Sequence, residues 1–225
     1  MLKGWVPEMR KVAASSLLLV LLMAIQAGAS VVTSLPGGSV IPMPAVNYFG
    51  GGPITFGPGI TWSSANAFNG GGSAFGYTGI YGAYSFLANG NWTGALGPMA
   101  GLNDSTDFYG VTDTMTFAFT TPLYAVGGFL NYVPFSSNPT TIAVYDSSMN
   151  LIESYNLSFT TSGADDTGAF YGFQESTADI SYFTLTDNYV GITDLTVVSP
   201  EPGSILLIGT GLLGVFGYGR RRLGR

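Results

Sequence analysis

The side chains able to do chemistry in this sequence are almost all oxygen acids and hydroxyls. The 225 residues include no histidine and no cysteine, and the seven basic residues all lie within the first eleven or the last six positions. This composition excludes catalysis by a histidine base, a thiolate nucleophile or a Schiff-base lysine in the domain between the ends, and it excludes phosphate binding by an arginine clamp there. Between Ser30 and Ser199 there is no cation and there are eleven carboxylates: Asp104, Asp107, Asp113, Asp146, Glu153, Asp165, Asp166, Glu175, Asp179, Asp187 and Asp194.

The sign of this charge excludes one class of partner. A segment with eleven carboxylates and no cation repels phosphate backbones and releases no counterions from them. We therefore expect no nucleic-acid partner. Zinc is also disfavoured, because neither histidine nor cysteine is present to bind it.

One group of carboxylates is a candidate cation site. Asp104, Asp107 and Asp113 follow one another closely, and oxygen ligands of this kind suit Ca²⁺. Their spacing matches no EF-hand loop, so a solvated polar turn is the favoured interpretation. We expect no required cofactor, and a structural Ca²⁺ stays open as the alternative.

Two further sets of residues raise the question of carbohydrate chemistry. Asp165 and Asp166, with Glu175 and Asp179, could supply the two carboxyl groups that glycoside hydrolysis needs, although an acidic domain produces such pairs by chance. Trp62 and Trp92 could stack on sugar rings, or they could belong to the core. We expect a non-enzymatic protein with no catalytic residue; the alternative is a secreted carbohydrate-binding module or a weak glycoside hydrolase.

The first 29 residues have the composition of a secretory signal peptide. A basic start is followed by an apolar run over residues 12–25, and then by small residues at Ala27 and Ala29. This pattern predicts that signal peptidase cuts between Ala29 and Ser30. The apolar run has roughly 14 residues, whereas an uncleaved anchor needs about 20 to span a bilayer.

The C-terminus carries three ordered elements. Pro200, Glu201 and Pro202 precede a glycine-rich apolar run over residues 205–218, and a basic cluster of Arg220, Arg221 and Arg222 follows it. The positive-inside rule predicts that the arginines stay in the cytoplasm while the preceding domain crosses the membrane. As a helix the run is about 21 Å long, against a bilayer core of about 30 Å. Such a short helix favours transfer to a processing enzyme, with a permanent single-span anchor as the alternative.

This order of elements resembles the PEP-CTERM sorting signal of Gram-negative bacteria, which the membrane enzyme exosortase recognises. The resemblance implies that the tail is removed near the motif and that the protein is released or attached at the outer surface, often alongside exopolysaccharide. The expected partners are then signal peptidase, exosortase, the inner membrane transiently, and exopolysaccharide. The expected location is the cell surface or the extracellular matrix, reached from a membrane-anchored precursor.

The sequence between the two ends predicts an all-β sandwich, because short runs of β-branched and aromatic residues alternate with turn residues. Residues 36–101 are richer in glycine and predict shorter strands at 54–56, 60–63 and 79–87. We divide the chain into a signal peptide (1–29), an extracellular β-sandwich (30–198) and a sorting signal (199–225). The middle part contains Ala125-Val126-Gly127-Gly128-Phe129-Leu130 and Ile142-Ala143-Val144-Tyr145-Asp146, and in this it resembles the jelly-roll-like β-sandwich ectodomain of proteins with this sorting signal. Thr193-Asp194 stands in place of the Asp-Asn or Asp-Asp pair that is usual there before the last strand. The longer predicted strands cover 113–121, 123–133, 141–146, 151–159, 168–174, 180–186 and 190–198.

Overall fold

The computed structural model describes residues 29–65, 74–76, 84–103, 113–134 and 139–200. This part of the chain contains sixteen β-strands and one short 3-10 helix, Leu87–Asn89, which confirms the predicted all-β sandwich. None of its helical segments is long and apolar enough to cross a membrane. Most of the predicted signal peptide and the predicted sorting helix lie outside the described residues.

The strands follow one another along the whole described chain. In chain order they are β1 (Ser30–Val32), β2 (Ser39–Ile41), β3 (Tyr48–Phe49), β4 (Ile54–Phe56), β5 (Ile60–Ser64), β6 (Ala74–Gly76), β7 (Tyr84–Ser85), β8 (Asn91–Trp92), β9 (Met99–Asn103), β10 (Asp113–Leu123), β11 (Ala125–Tyr132), β12 (Thr141–Tyr145), β13 (Leu151–Asn156), β14 (Ala169–Gln174), β15 (Ile180–Asp187) and β16 (Tyr189–Val198).

Two large antiparallel sheets form the sandwich. The first sheet has the order β1-β14-β11-β16-β9-β6-β3, and β2 pairs with β16 beside β9. The second sheet has the order β13-β12-β15-β10-β5-β4. The strand β16 is therefore paired along both of its edges, whereas β1 and β13 are edge strands.

Alternation of residue type explains why the long strands form and which face they bury. In β10, Met115, Phe117 and Phe119 are buried, while Thr116 and Ala118 between them are only half-buried. Side chains of a strand point to opposite faces in turn, so the three apolar residues enter the core together. The sequence predicted this face correctly.

Aromatic rings join the two sheets across the core. The centroids of Trp62 on β5 and Phe75 on β6 lie 4.9 Å apart, and those of Phe173 on β14 and Phe183 on β15 lie 6.3 Å apart. Each pair takes one ring from each sheet and meets edge to face, which is a favourable geometry for aromatic contact. The core therefore lies between the sheets.

The hairpin of β7 and β8 forms a second, smaller core with the first sheet. Tyr84, Phe86 and Trp92 are fully buried in it. They pack on Gly101 and Gly191, which face each other on β9 and β16. A Cβ atom at Gly191 would lie 2.8 Å from the Trp92 ring, and one at Gly101 would lie 2.8 Å from the Tyr84 ring. The two glycines thus provide the flat surface that the hairpin covers.

Candidate functional site

Both ends of the folded domain lie in one row of the first sheet. Ser30 is opposite Gln174, Gln174 is opposite Ala125, and Ala125 is opposite Val198. With neighbouring strands about 4.8 Å apart, Ser30 and Val198 are separated by roughly 14 Å. We call this end of the sheet, defined by Ser30, Gln174, Ala125 and Val198, the maturation pole. The chain enters the domain and leaves it there.

The exit from the domain is firmly paired up to its last residue. The Tyr124 backbone N–H donates to the Val198 carbonyl oxygen at 2.8 Å, so the hydrogen-bond ladder extends to the end of β16. Pro200 follows without regular structure and has no N–H with which to continue a ladder. Only Ser199 separates the last paired residue from the predicted sorting motif. Glu201, Pro202 and Arg220 to Arg222 lie outside the described residues.

The entry to the domain coincides with the predicted cleavage site. Ala29 has no regular structure, Ser30 is exposed and begins β1, and Val31 packs against the core. The sheet thus starts at the first residue that would remain after cleavage. Ala27 lies outside the described part of the chain, and the cleavage itself stays a prediction.

Two glutamates interact electrostatically beside the maturation pole, at the open edge between the sheets. Glu153 on β13 is opposite Val144, whose side chain is fully buried, so Glu153 points into the gap between the sheets. Glu175 directly follows β14, and its N–H donates to the Tyr124 carbonyl oxygen at 2.7 Å. Oε2 of Glu153 and Oε1 of Glu175 are buried, and neither has a hydrogen-bond partner among the described residues.

We call Glu153, Glu175 and Asp179 the acidic mouth. Burial raises the pKa of both glutamates, and the carboxylates of Glu153 and Asp179 raise the pKa of Glu175 further. Asp179 also lines an adjoining open cleft of about 410 Å³, together with Asp146 and Ile152. No cation balances these carboxylates in the described chain, because residues 30–199 contain none.

The candidate calcium ligands are only partly described. Asp113 begins β10 opposite Asp187, which is 2% exposed, whereas Asp104 and Asp107 lie outside the described residues. Asp187 accepts hydrogen bonds from the Thr140 hydroxyl and, at 2.6 Å, from the Asn188 N–H. Burial raises the pKa of Asp187 to about 6. Within the described ranges no three acidic side chains cluster as metal ligands, so the calcium site stays a prediction.

The two tryptophans are core residues, so sugar stacking is the wrong alternative for them and the core alternative is correct. Trp62 and Trp92 are both 0% exposed. Trp62 packs against Phe75, while Trp92 stacks on Phe129 with centroids 6.2 Å apart and donates from Nε1 to the Thr167 carbonyl oxygen at 2.8 Å. Neither ring offers a face to a ligand.

Of the four carboxylates considered for glycoside hydrolysis, Asp165 and Asp166 are not brought together with Glu175, which lies with Asp179 in the acidic mouth. Asp165 accepts from Asn91 Nδ2 at 3.1 Å, and Asp166 accepts from the Thr93 N–H at 2.8 Å and from its hydroxyl at 2.6 Å. These bonds tie the loop before β14 to the hairpin. Glu175 lies beyond the other end of this six-residue strand, about 20 Å away, whereas hydrolysis requires carboxyl groups within about 10 Å.

Comparison with known proteins identifies the C-terminal segment. A family profile for the PEP-CTERM protein-sorting motif matches residues 200–222, which confirms the predicted sorting signal. No curated protein and no solved structure matches the chain. The matched segment begins two residues after β16 ends, immediately outside the maturation pole.

Proposed function

We propose that this chain, whose PEP-CTERM motif marks it for export and sorting through its C-terminus, is an exosortase-processed component of the cell surface or extracellular matrix. Its role there is structural or adhesive, in association with exopolysaccharide, and not enzymatic. Signal peptidase and exosortase act on the two ends, and the inner membrane holds the precursor only transiently.

The arrangement of the maturation pole is the main support for this proposal. The sheet is complete at Val198, and the matched motif begins at Pro200. A processing enzyme can therefore remove the tail without taking any residue from the sandwich. Since both ends leave from the same pole, the precursor presents one end of the domain to the membrane and leaves the opposite end free.

The test is the intact mass of the mature protein from cells with and without the processing enzyme. We expect the tail to be missing only when the enzyme is present. Replacing Pro200, Glu201 and Pro202 by alanine should block processing, while the matched control Gly203→Ala with Ser204→Ala leaves the motif triplet intact. If the mature wild-type protein still ends in Arg225, sorting by removal of the tail is contradicted.

The charge of the domain supports a role in a polysaccharide matrix. Eleven carboxylates without a cation attract divalent cations diffusely, and such cations can bridge to acidic polysaccharide. We expect a chelator to release the protein from the matrix fraction, and added Ca²⁺ to restore its retention. Retention that is insensitive to the chelator would contradict this part of the proposal.

A further inference from the structure

We propose that removal of the signal peptide creates the positive charge that the acidic mouth lacks: the new α-ammonium group of Ser30 pairs with the Glu175 carboxylate. This inference goes beyond sorting at the C-terminus. It rests on the predicted cleavage between Ala29 and Ser30.

The Ser30 α-amino group is the only primary amine in the mature protein, because the mature sequence contains no lysine. Both lysines, Lys3 and Lys11, lie in the signal peptide, and residues 30–199 contain no arginine or histidine. In the precursor the Ser30 nitrogen is a neutral peptide nitrogen. Hydrolysis breaks the bond between the Ala29 carbonyl carbon and this nitrogen. Water supplies hydroxyl to the carbon and hydrogen to the nitrogen, which then takes up a proton at neutral pH.

Strand register places the new cation beside Glu175. Ser30 is opposite Gln174, so the antiparallel register puts Ala29 opposite Glu175 and the Ser30 nitrogen between these two positions. Antiparallel partners lie about 4.5–5.5 Å apart at their Cα atoms, which is within reach of a glutamate side chain. Cleavage removes the Ala29 carbonyl and leaves protons of the ammonium group on the side nearest Glu175.

The Glu175 side chain also lies on the core-facing side of the sheet. Val31 is opposite Phe173, and both side chains contact the core. Glu175 is two residues after Phe173 and therefore points to the same side, towards Glu153. The carboxylate thus lies at the core-side rim of the sheet, where β1 begins.

The carboxylate of Glu175 has an oxygen atom that such a cation could pair with. Its Oε1 atom is buried without a hydrogen-bond partner among the described residues. Its surroundings add negative charge, from Glu153 on β13 and from Asp179 before β15, and these raise its pKa together with burial. An opposite charge within about 4–6 Å acts in the other direction and favours the ionised carboxylate.

The experiment uses the full mature protein, purified after export and first sequenced at its N-terminus. Because it has a single primary amine, reductive methylation with ¹³C-formaldehyde labels Ser30 alone and keeps its charge. We expect the NMR titration to give an amine pKa about half a unit higher in the wild type than in Glu175→Gln. The control Asp194→Asn, which removes an exposed carboxylate elsewhere, should match the wild type.

A second measurement removes the charge of the amine instead of that of the acid. Acetylation of Ser30 should lower the wild-type Tm by about 2–4 °C and should have no further effect in Glu175→Gln. Equal amine titrations in the wild type and Glu175→Gln would overturn the proposal, as would a mature N-terminus other than Ser30. Either failure leaves processing at the C-terminus untouched, so it is distinguishable from failure of the proposed function.

Discussion

Trp62 and Trp92 offer a controlled comparison at the scale of single residues. Both are completely buried, but only Trp92 has a partner for its indole N–H, the Thr167 carbonyl oxygen; Nε1 of Trp62 has none among the described residues. Phenylalanine at either position removes the same atoms from the core. The difference in unfolding free energy between the two variants therefore reports mainly on the hydrogen bond that Trp92 donates.

We expect Trp92→Phe to lower the free energy of unfolding by about 1 kcal/mol more than Trp62→Phe, because it removes one of the two side-chain hydrogen bonds that the Thr167 carbonyl oxygen accepts, the other being from Asn131. Urea unfolding monitored by circular dichroism measures both values. If Trp62→Phe proves equally or more costly, the assignment of an unpaired Trp62 donor is wrong.

Asp187 makes the folded protein more stable at acidic pH than at neutral pH, which is the reverse of the usual effect of a carboxylate. Its pKa in the folded protein is raised from 3.8 to about 6, so the folded state binds the proton more tightly than the unfolded chain does. Its contribution to stability is therefore fully present below about pH 4 and is lost as the pH rises through about 6. The raised pKa of Glu153 acts in the same direction.

We expect the free energy of unfolding to fall by about 1–3 kcal/mol between pH 4 and pH 7 because of Asp187. Urea titrations at four pH values measure this slope, and Asp187→Asn, which cannot ionise, should flatten it. A slope of the same size in Asp187→Asn would assign the pH dependence to other groups.

At the scale of elements, two buried asparagines fasten the loop before β14 to the hairpin. Asn131 donates to the carbonyl oxygens of Asn89 and Thr167 at 3.0 and 2.9 Å. The Asn89 side chain donates to the Tyr132 carbonyl oxygen at 3.1 Å and accepts from the Thr161 N–H at 3.0 Å. The two side chains thus satisfy backbone groups from three separate segments.

Replacing Asn131 by aspartate should detach this loop. The change removes the donor and places a buried carboxylate against two carbonyl oxygens, so we expect a loss of about 3 kcal/mol or more. Asn156→Asp is the matched control and should cost little, because Asn156 is exposed and its side-chain oxygen accepts from the Thr141 hydroxyl, as an aspartate oxygen also can. Limited proteolysis followed by mass spectrometry should show new cleavage within residues 157–168 in Asn131→Asp only; unchanged protection would contradict the role of Asn131.

The strands differ in how far the sequence predicts them. From residue 113 onward, alternation of apolar and polar residues located each strand to within a few residues. In β9 the pattern is absent, because Gly101 serves the packing of Tyr84 and not the alternation. The sequence also did not predict that Glu153 faces the core. The pairing of β12 and β13 shifts register between Val144 and Tyr145, and this shift puts Glu153 on the core side of β13.

The candidate site was predictable in its parts but not in its arrangement. The motif at Pro200 and the small residues before Ser30 are local patterns, so the sequence alone revealed them. Their meeting at one pole depends on four strands that are distant in the chain, and no local pattern records that order. For the same reason, residue type could not show that Asp166 binds Thr93, which lies 73 residues away.

At the scale of the whole molecule, the described strand pairing ends before the matched sorting segment begins. Strand β16 is bonded to β11 on one side and to β9 and β2 on the other, and this pairing ends at Val198. Removal of the segment after Ser199 therefore breaks none of the described strand pairs, whereas β16 itself is central to the first sheet. These two facts predict opposite results for two truncations.

Truncation after Ser199 should keep the Tm within about 2 °C of the full-length value and should move the protein from the membrane fraction to the soluble exported fraction. Truncation after Asn188 removes β16 as well, so β11, β9 and β2 each lose a neighbour. Because the first sheet then splits into separate pieces, we expect this protein not to fold cooperatively. Thermal unfolding and cell fractionation of both variants test the argument. A large loss of stability on removing residues 200–225 would mean that the tail belongs to the folded domain, since no described strand pair would account for the loss.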